Sequence, residues 1–462
     1  MKIARIWLVS GLVLLSAVVM GSRSGTEARA SSDGQPGGAA LQQPPCGGEP
    51  CDAVARGALS FVDRRLHGLA GNGRSCADCH MPTDNLQLSP ANVELRFQFQ
   101  AFVKRFIPSY DDPLFRPIDA DDFRTNHENA DDFSNLRQNG LVRITFTLPP
   151  TIKLIDPATN LPSSETEVDV WRSVPTVNNV KFTGPDGGVP WFRGPNESGG
   201  YQLDARIGNL QDQALGALRN HAQVQNTPDQ RLLDDLASFQ RVLFTNNRVR
   251  AFSDALAAGV TPLPETDPPL NALEQQGKAL FNRSCTQCHG GPRQTVSPNT
   301  PVRYHDIATA CPRPVDPLAR WVFKACPDRL VRNARTYEIV TSVPTPTPAG
   351  LIPAGAKIRR VSDDPGRALL SGFVGGAPPR DDWNKLDMPG LRGMSQTAPY
   401  FHNNSADTLE EVVDHYIEVF KFILLNIPPG PLPPVISSDG VHPDLQLFPS
   451  ERAALLAYLR KL

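Results

Sequence analysis

The chain carries no excess of charge of either sign: 46 Lys and Arg stand against 48 Asp and Glu, a net charge of -2. Neither a nucleic acid nor an anionic surface is therefore implied as a partner. Long apolar runs are just as scarce. The one run, Ile6 to Met20, follows Lys2 and Arg5 and precedes Ala28-Arg29-Ala30. That is the order of a secretory signal cleaved after Ala30. The run is short for a membrane span, although an uncleaved anchor is its other reading. The expectation is an exported chain with no membrane attachment after cleavage, periplasmic if the source cell is Gram-negative. What the sequence does not lack is punctuation. Its 45 Pro and 35 Gly argue for helical islands joined by long, stiff loops.

Cysteine is also sparse, eight residues in all, and four of the eight fall in two pentapeptides. Cys76-Ala77-Asp78-Cys79-His80 and Cys285-Thr286-Gln287-Cys288-His289 both read C-x-x-C-H, the attachment pattern of c-type haem. The spacing suits that chemistry. Two thiols add to the two vinyl groups, and the adjacent imidazole is held under the iron. Disulfides are the other reading. Zinc would need further Cys or His nearby, and His80 has none. The remaining Cys46, Cys51, Cys311 and Cys326 form an even set, as an oxidising compartment favours. Proximity favours Cys46–Cys51 and Cys311–Cys326, although sequence does not fix connectivity.

Composition along the chain suggests boundaries. Residues 1–30 are the signal, and 31–50 read as a disordered leader. A first haem domain covers 51–260, and 261–270 is a Pro-rich linker. A second haem domain covers 271–462. Both motifs follow a helix and a short loop, as in a duplicated module. Residues 85–170 hold no haem motif and read as a loop-rich insertion in the first domain. Within them Leu141 to Thr147 alternates as a strand does. Helices are expected at about 209–219, from Thr227 with Pro228 at the first helical position, from Asn271 to Phe281, and at the end behind Ser450. The stripe Leu232, Leu236, Phe239 and Leu243 marks the buried face of the second. The fold class is mainly α: two cytochrome c-like domains, with some β in the insertion.

The stretch Leu391-Arg392-Gly393-Met394-Ser395-Gln396-Thr397-Ala398-Pro399-Tyr400-Phe401-His402, with Thr408-Leu409-Glu410-Glu411-Val412-Val413 after it, resembles the diheme cytochrome c peroxidase/MauG family. The resemblance covers roughly 51–84 and 171–462. In that family the sixth ligand of the C-terminal haem lies fourteen residues after the motif His. Counting from His402 reaches Tyr416, where peroxidases have Met and the MauG type has Tyr. The residues agree with the count. Thr408 to Glu411 forms a capping box. Leu409, Val412, Val413, Tyr416 and Phe420 then share one helix face. His415 competes as ligand but lies off that face. An ordinary core Tyr is the other reading. A tyrosinate would lower the potential of this haem relative to Met.

The resemblance also implies a distal pocket at the first haem. Leu203-Asp204-Ala205-Arg206, Asp212-Gln213-Ala214 and Asn220-His221-Ala222-Gln223-Val224 keep the family's spacing. Arg206 and Gln213 match it. Gln223 replaces a pocket Glu that handles the peroxide proton, and an amide cannot shuttle one. Leu203 replaces the Trp between the haems, which removes that relay. His221 is a candidate base; it is equally a core His or a sixth ligand. His127, in the insertion, also comes into reach. Trp171 and Trp191 are candidate electron carriers, with core packing as the alternative. The family binds a calcium ion through the Asn of P-T-V-x-N, here Asn179 of Pro175-Thr176-Val177-Asn178-Asn179, with carbonyls matching Thr397 and Pro399. Oxygen ligands suit that ion.

The implied activity is peroxide reduction by a periplasmic oxidoreductase with two covalent haem c groups. His80 and His289 ligate the irons, Tyr416 completes the second, and calcium sits between the domains. The electron donor is a small redox protein, a cytochrome c or a cupredoxin. The loss of the Glu and the Trp keeps two rivals open: an O2-dependent diheme oxidase or oxygenase of an organic substrate, and a diheme electron carrier without catalysis.

Overall fold

The structure, a computed structural model, describes residues 46–120, 133–184, 200–295, 304–311, 326–347, 350–376, 381–426 and 448–462. The signal, most of the leader, His127 and Trp191 lie outside the described residues. Glu49–Leu462 packs as one unit. Among the described residues no helix is long and apolar enough to cross a membrane.

The elements that matter here run in this order: α1 (Cys51–Val62), α2 (Pro90–Lys104), β1 (Leu141–Thr147), β2 (Ile152–Leu154), β3 (Glu167–Ser173), α3 (Leu210–Asn220), α4 (Gln230–Arg241), α5 (Ala272–Ser284), β4 (Arg335–Val340), β5 (Lys357–Ser362), α6 (Leu409–Asn426) and α7 (Pro449–Leu459). Helix starts follow side-chain chemistry. Asn271 caps α5, taking the Glu274 N–H while the Glu274 carboxylate takes the Asn271 N–H, a reciprocal pair that satisfies two orphan donors. Two expected caps move. α4 begins behind Asp229, whose carboxylate accepts from the Leu232 N–H, so Thr227 and Pro228 precede the helix. α7 begins behind Phe448, so Ser450 is already helical. At α6, Thr408 Oγ1 accepts from the Glu411 N–H at 3.2 Å, but the Glu411 carboxylate reaches the Asp407 N–H at 2.6 Å.

The two haem motifs stand on the same packing device. α1 crosses α4, and α5 crosses α7. Each crossing is closed by a glycine. A Cβ at Gly57 would lie 1.9 Å from the Asp235 carbonyl oxygen, and one at Gly277 would lie 2.0 Å from that of Ala454. Four residues after each glycine sits a Phe, which meets an aromatic four residues after the contacted carbonyl. Phe61 meets Phe239 at 5.2 Å, and Phe281 meets Tyr458 at 5.5 Å, both edge-on. One core gathers α1, α3 and α4 with Cys76; a second gathers α5, α6 and α7 with Cys285.

The insertion holds the expected strand. β1 pairs antiparallel with β3, Leu141 opposite Ser173. It also holds more than strands: α2 packs on it, and Arg96 from α2 reaches back to Asp78 inside the first motif at 2.9 Å. β2 pairs with β4, which pairs with β5. That three-stranded sheet joins the insertion to the C-terminal half, so the insertion belongs to both halves rather than to the first alone.

Candidate active site

Cys76, Cys79, Cys285 and Cys288 carry free thiols, whereas Cys46, Cys51, Cys311 and Cys326 are all disulfide-bonded. Cys311 and Cys326 bond to each other. The motif cysteines are thus reserved for something other than cross-links. Burial pushes the Cys76, Cys79 and Cys285 thiols up to about 12 and Cys288 to about 11. Such thiols are protonated and poorly nucleophilic at neutral pH.

The two histidines are prepared as metal ligands. His80 Nδ1 lies 3.1 Å from the Leu86 carbonyl oxygen. His289 Nδ1 lies 3.2 Å from both the Gln294 and the Pro389 carbonyl oxygens. Each carbonyl accepts from Nδ1–H, which leaves the Nε2 lone pair to face outward, the arrangement that orients ligating histidines. Burial holds both rings down at about 4, so both are neutral at pH 7. Free thiols, neutral imidazoles and fixed tautomers together fit covalent haem at both motifs.

A cavity of about 130 Å³ opens beside the first motif, room for a small molecule. Cys79, His80, Leu203, Arg206, Gln213 and His221 all line it. Sequence separation between these groups exceeds a hundred residues, and α3 does the gathering. Leu210, Gln213, Ala217 and His221 fall on its cavity face because they recur at helical spacing. Arg206 is held by Asp204 at 2.5 Å. Asp204 also takes Arg172 at 2.5 Å, and Arg172 takes Asp364 of the C-terminal half at 2.6 Å. All three are buried. Burial alone would raise both carboxyls, but the Arg172 guanidinium outweighs it and holds both below the ordinary range.

Gln223 is not among the cavity-lining residues. It is exposed, in a left-handed turn at φ 49°, and accepts from the Asn72 amide at 3.3 Å. Trp171 does not line the cavity either; it packs against Leu141, Leu330 and the Cys311–Cys326 disulfide, which agrees with core packing. A residue that the motifs did not flag does line it: Asp119, from the insertion. Its carboxylate meets His221 Nδ1 at 2.7 Å and also pairs with Arg74.

At the second motif, Tyr416 is half-buried on α6 and packs against Phe401, His415 and Phe420. Burial raises its phenol, with Cys288 and Cys285 the neighbours that raise it further. His415 is buried, and its Nε2 meets the Ile307 carbonyl oxygen at 2.7 Å, which turns that nitrogen away from a metal role.

Asn179, the expected side-chain ligand for calcium, is held within the protein. Asn179 Oδ1 accepts from the Thr245 N–H at 3.0 Å, and its amide donates to the Arg392 carbonyl at 3.0 Å. Its side chain is thus occupied in closing a loop. Among the described residues no cluster of His, Cys, Asp or Glu is built to hold a metal ion. The contacts of Asn179 give no support to a calcium ion.

The chain matches no family model and no curated protein. Among solved structures it is similar to a MauG-like protein associated with microbial copper homeostasis, at 18% identity over 91% of this chain and 90% of that one, with a TM-score of 0.40. It is similar to the diheme peroxidase BthA from Burkholderia thailandensis, at 16% identity over 90% and 86%, TM-score 0.40. It is also similar to Kuenenia stuttgartiensis hydrazine synthase, at 14% identity over 95% and 100%, TM-score 0.36. Likeness at this level carries no argument about the reaction, which rests on the residues themselves.

Proposed function

We propose that this chain is an exported diheme c-type oxidoreductase of the peroxidase/MauG kind that reduces hydrogen peroxide. Cys76, Cys79 and His80 would hold one haem, and Cys285, Cys288, His289 and Tyr416 the other. Haem c, when bound, supplies redox-active irons that accept and pass single electrons. The single observation that carries this reading is the cavity shared by His80, Arg206, Gln213 and His221. An open, mostly apolar face that places a few polar side chains beside a ligating His is what a substrate site needs and a pure electron carrier avoids.

The chain's own groups suggest a division of labour. Arg206, anchored by Asp204, and the Gln213 amide are donors for the oxygens of a small oxidant; fixed donors in a partly dry cavity act more strongly than in water. His80 and His289 keep their Nε2 atoms toward the metal side through their backbone carbonyl partners. Tyr416 is favoured over His415 as sixth ligand because its phenol has Cys285 and Cys288 as neighbours while His415 Nε2 is engaged. Leu203 lines the cavity and cannot be oxidised, so electrons from the second site would have to arrive without an aromatic relay there. The net reaction is H2O2 + 2 e− + 2 H+ → 2 H2O, with the electrons drawn from a small periplasmic donor, a cytochrome c or a cupredoxin.

The test is turnover of purified holoprotein with a pre-reduced c-type cytochrome. The expected result is donor oxidation that depends on peroxide, at two donors per H2O2. Donor oxidation with no response to peroxide, or O2 uptake with an organic substrate, would set this reading aside.

A further inference from the structure

The pairing of Asp119 with His221 joins a residue of the insertion to a residue of α3 across 102 positions. His221 ends α3, where its backbone N–H still bonds to the Ala217 carbonyl at 2.9 Å. Its carbonyl accepts from the Asn72 amide at 2.9 Å and from Arg74 at 3.2 Å. The ring is therefore fixed at both its main chain and its Nδ1. About a third of the side chain remains open, at 34% exposure, and His221 lines the cavity together with His80.

Asp119 is built in more firmly. Its side chain is 5% exposed and that of its partner Arg74 is 2% exposed. One carboxylate oxygen takes Arg74, and the other takes His221. Arg74 also donates to the Pro113 carbonyl at 2.9 Å, to Leu114 at 3.2 Å and to Arg116 at 3.0 Å. It stands two residues before Cys76. One guanidinium thus ties the haem motif, the insertion and the carboxylate into a single frame. Burial alone would raise the Asp119 carboxyl, but Arg74 and His221 outweigh it and keep it ionised.

A buried, ionised carboxylate on Nδ1 fixes an imidazole in the tautomer whose Nε2 lone pair faces away from it, and stabilises the ring when it takes a proton. Here that second nitrogen belongs to a ring on the cavity wall. We propose that His221 and Asp119 form a proton-transfer pair at the first haem cavity, with Asp119 the positioning residue. This rests on the reading of that cavity as an oxidant site. His221 Nε2 takes the proton that leaves the oxygen of H2O2 nearer the metal site, and the ring holds it as imidazolium against Asp119. It then returns that proton to the departing hydroxide, which leaves as water when the O–O bond breaks. Two electrons from the reduced donor protein and two further protons from solvent convert the second oxygen to water. The pair takes over a task that Gln223, exposed and an amide, does not perform. It also gives the 85–170 insertion a function, since Asp119 lies within it.

Cyanide supplies a readout that does not need turnover. HCN must lose its proton to bind ferric haem, so a base in the cavity accelerates its binding. In holoprotein, Asp119→Asn and His221→Gln are each expected to slow HCN association about 100-fold, at the low end of general-base effects, and the double variant no further. The groups facing the ring are Asp119 and Arg74, with His80, Arg172 and Arg206 on the same cavity. In 15N-histidine-labelled protein, reduced and CO-bound, His221 carries its proton on Nδ1 in the wild type and loses that preference in Asp119→Asn. If Asp119→Asn fails to fold, His221→Gln decides alone, because its half-open side chain is tolerant of an amide. HCN rates within threefold of wild type in either folded variant overturn the pair. If those rates fall as expected while wild-type protein never consumes peroxide, the pair stands and the peroxide reading fails.

Discussion

Replacing Gly57 or Gly277 with alanine adds one methyl group where two backbones touch. The new Cβ would lie 1.9 Å from the Asp235 carbonyl oxygen or 2.0 Å from that of Ala454, when ordinary contact begins near 3.4 Å. Neither obstacle is a side chain that can swing aside, so each helix pair must part by more than an ångström. Two terms oppose each other. Alanine is the better helix former by about 1 kcal/mol. Overpacking a tight crossing costs about 1–3 kcal/mol, and parting the helices weakens the Phe61–Phe239 or Phe281–Tyr458 ring pair, worth about 0.5–1.5 kcal/mol. The packing terms win, and a net loss of about 1–3 kcal/mol is expected from each substitution. Gly216→Ala in α3 is the control, since nothing lies within 4 Å of its added Cβ; it is expected to gain up to about 1 kcal/mol. Urea unfolding of the three holoprotein variants, followed by far-UV circular dichroism, reads the sign. A Gly57→Ala or Gly277→Ala protein as stable as wild type would refute the claim that glycine closes these crossings.

The remaining expectations concern the network, the cavity and the cross-link. Arg172→Met leaves Asp364 buried without a cationic partner and Asp204 with Arg206 alone, at an expected cost of about 3–5 kcal/mol at pH 7. The wild-type carboxyls sit below the ordinary aspartate value, so their contribution is present above about pH 4 and is lost as the pH falls below it. Without Arg172 the Asp364 carboxyl rises and the sign inverts: the variant recovers toward wild type as the pH falls, and a constant deficit in urea midpoint would contradict this. Gln223→Ala is expected to leave peroxide turnover within threefold of wild type, whereas Gln213→Ala lowers it about tenfold or more, in line with loss of a fixed donor; equal effects in steady-state assays would move Gln223 back into the site. Removing the Cys311–Cys326 cross-link, which spans 15 residues, with a double alanine substitution is expected to cost about 3 kcal/mol, read as a lowered urea midpoint.

Local chemistry was legible in the chain, and long-range pairing was not. The two C-x-x-C-H motifs, the Asn271 cap and the alternation at Leu141 to Thr147 are patterns a few residues wide, and each appears in the fold. The caps at Asp229 and Phe448 were missed by one or two residues because Pro228 and Ser450 offered plausible starts of their own. β4 and β5 went unread because their sheet is completed by β2, three residues long and some 180 positions away. Asp119 carries no motif at all. Its role exists only because the insertion folds back over α3 and Arg74 holds it there. Tyr416 stands on the regular helix α6, whereas Gln223 lies outside the cavity lining because α3 ends at Asn220 and the chain turns left-handed at Gln223.

The central claim is that the two haem sites are unequal, the first open to an oxidant and the second closed by the protein. Electron paramagnetic resonance of the resting ferric holoprotein tests it directly. The account predicts a high-spin signal from the first haem beside a low-spin signal from the second, with peroxide or cyanide altering only the high-spin component at first contact. Two low-spin haems that stay inert to peroxide, even after half-reduction, would contradict it.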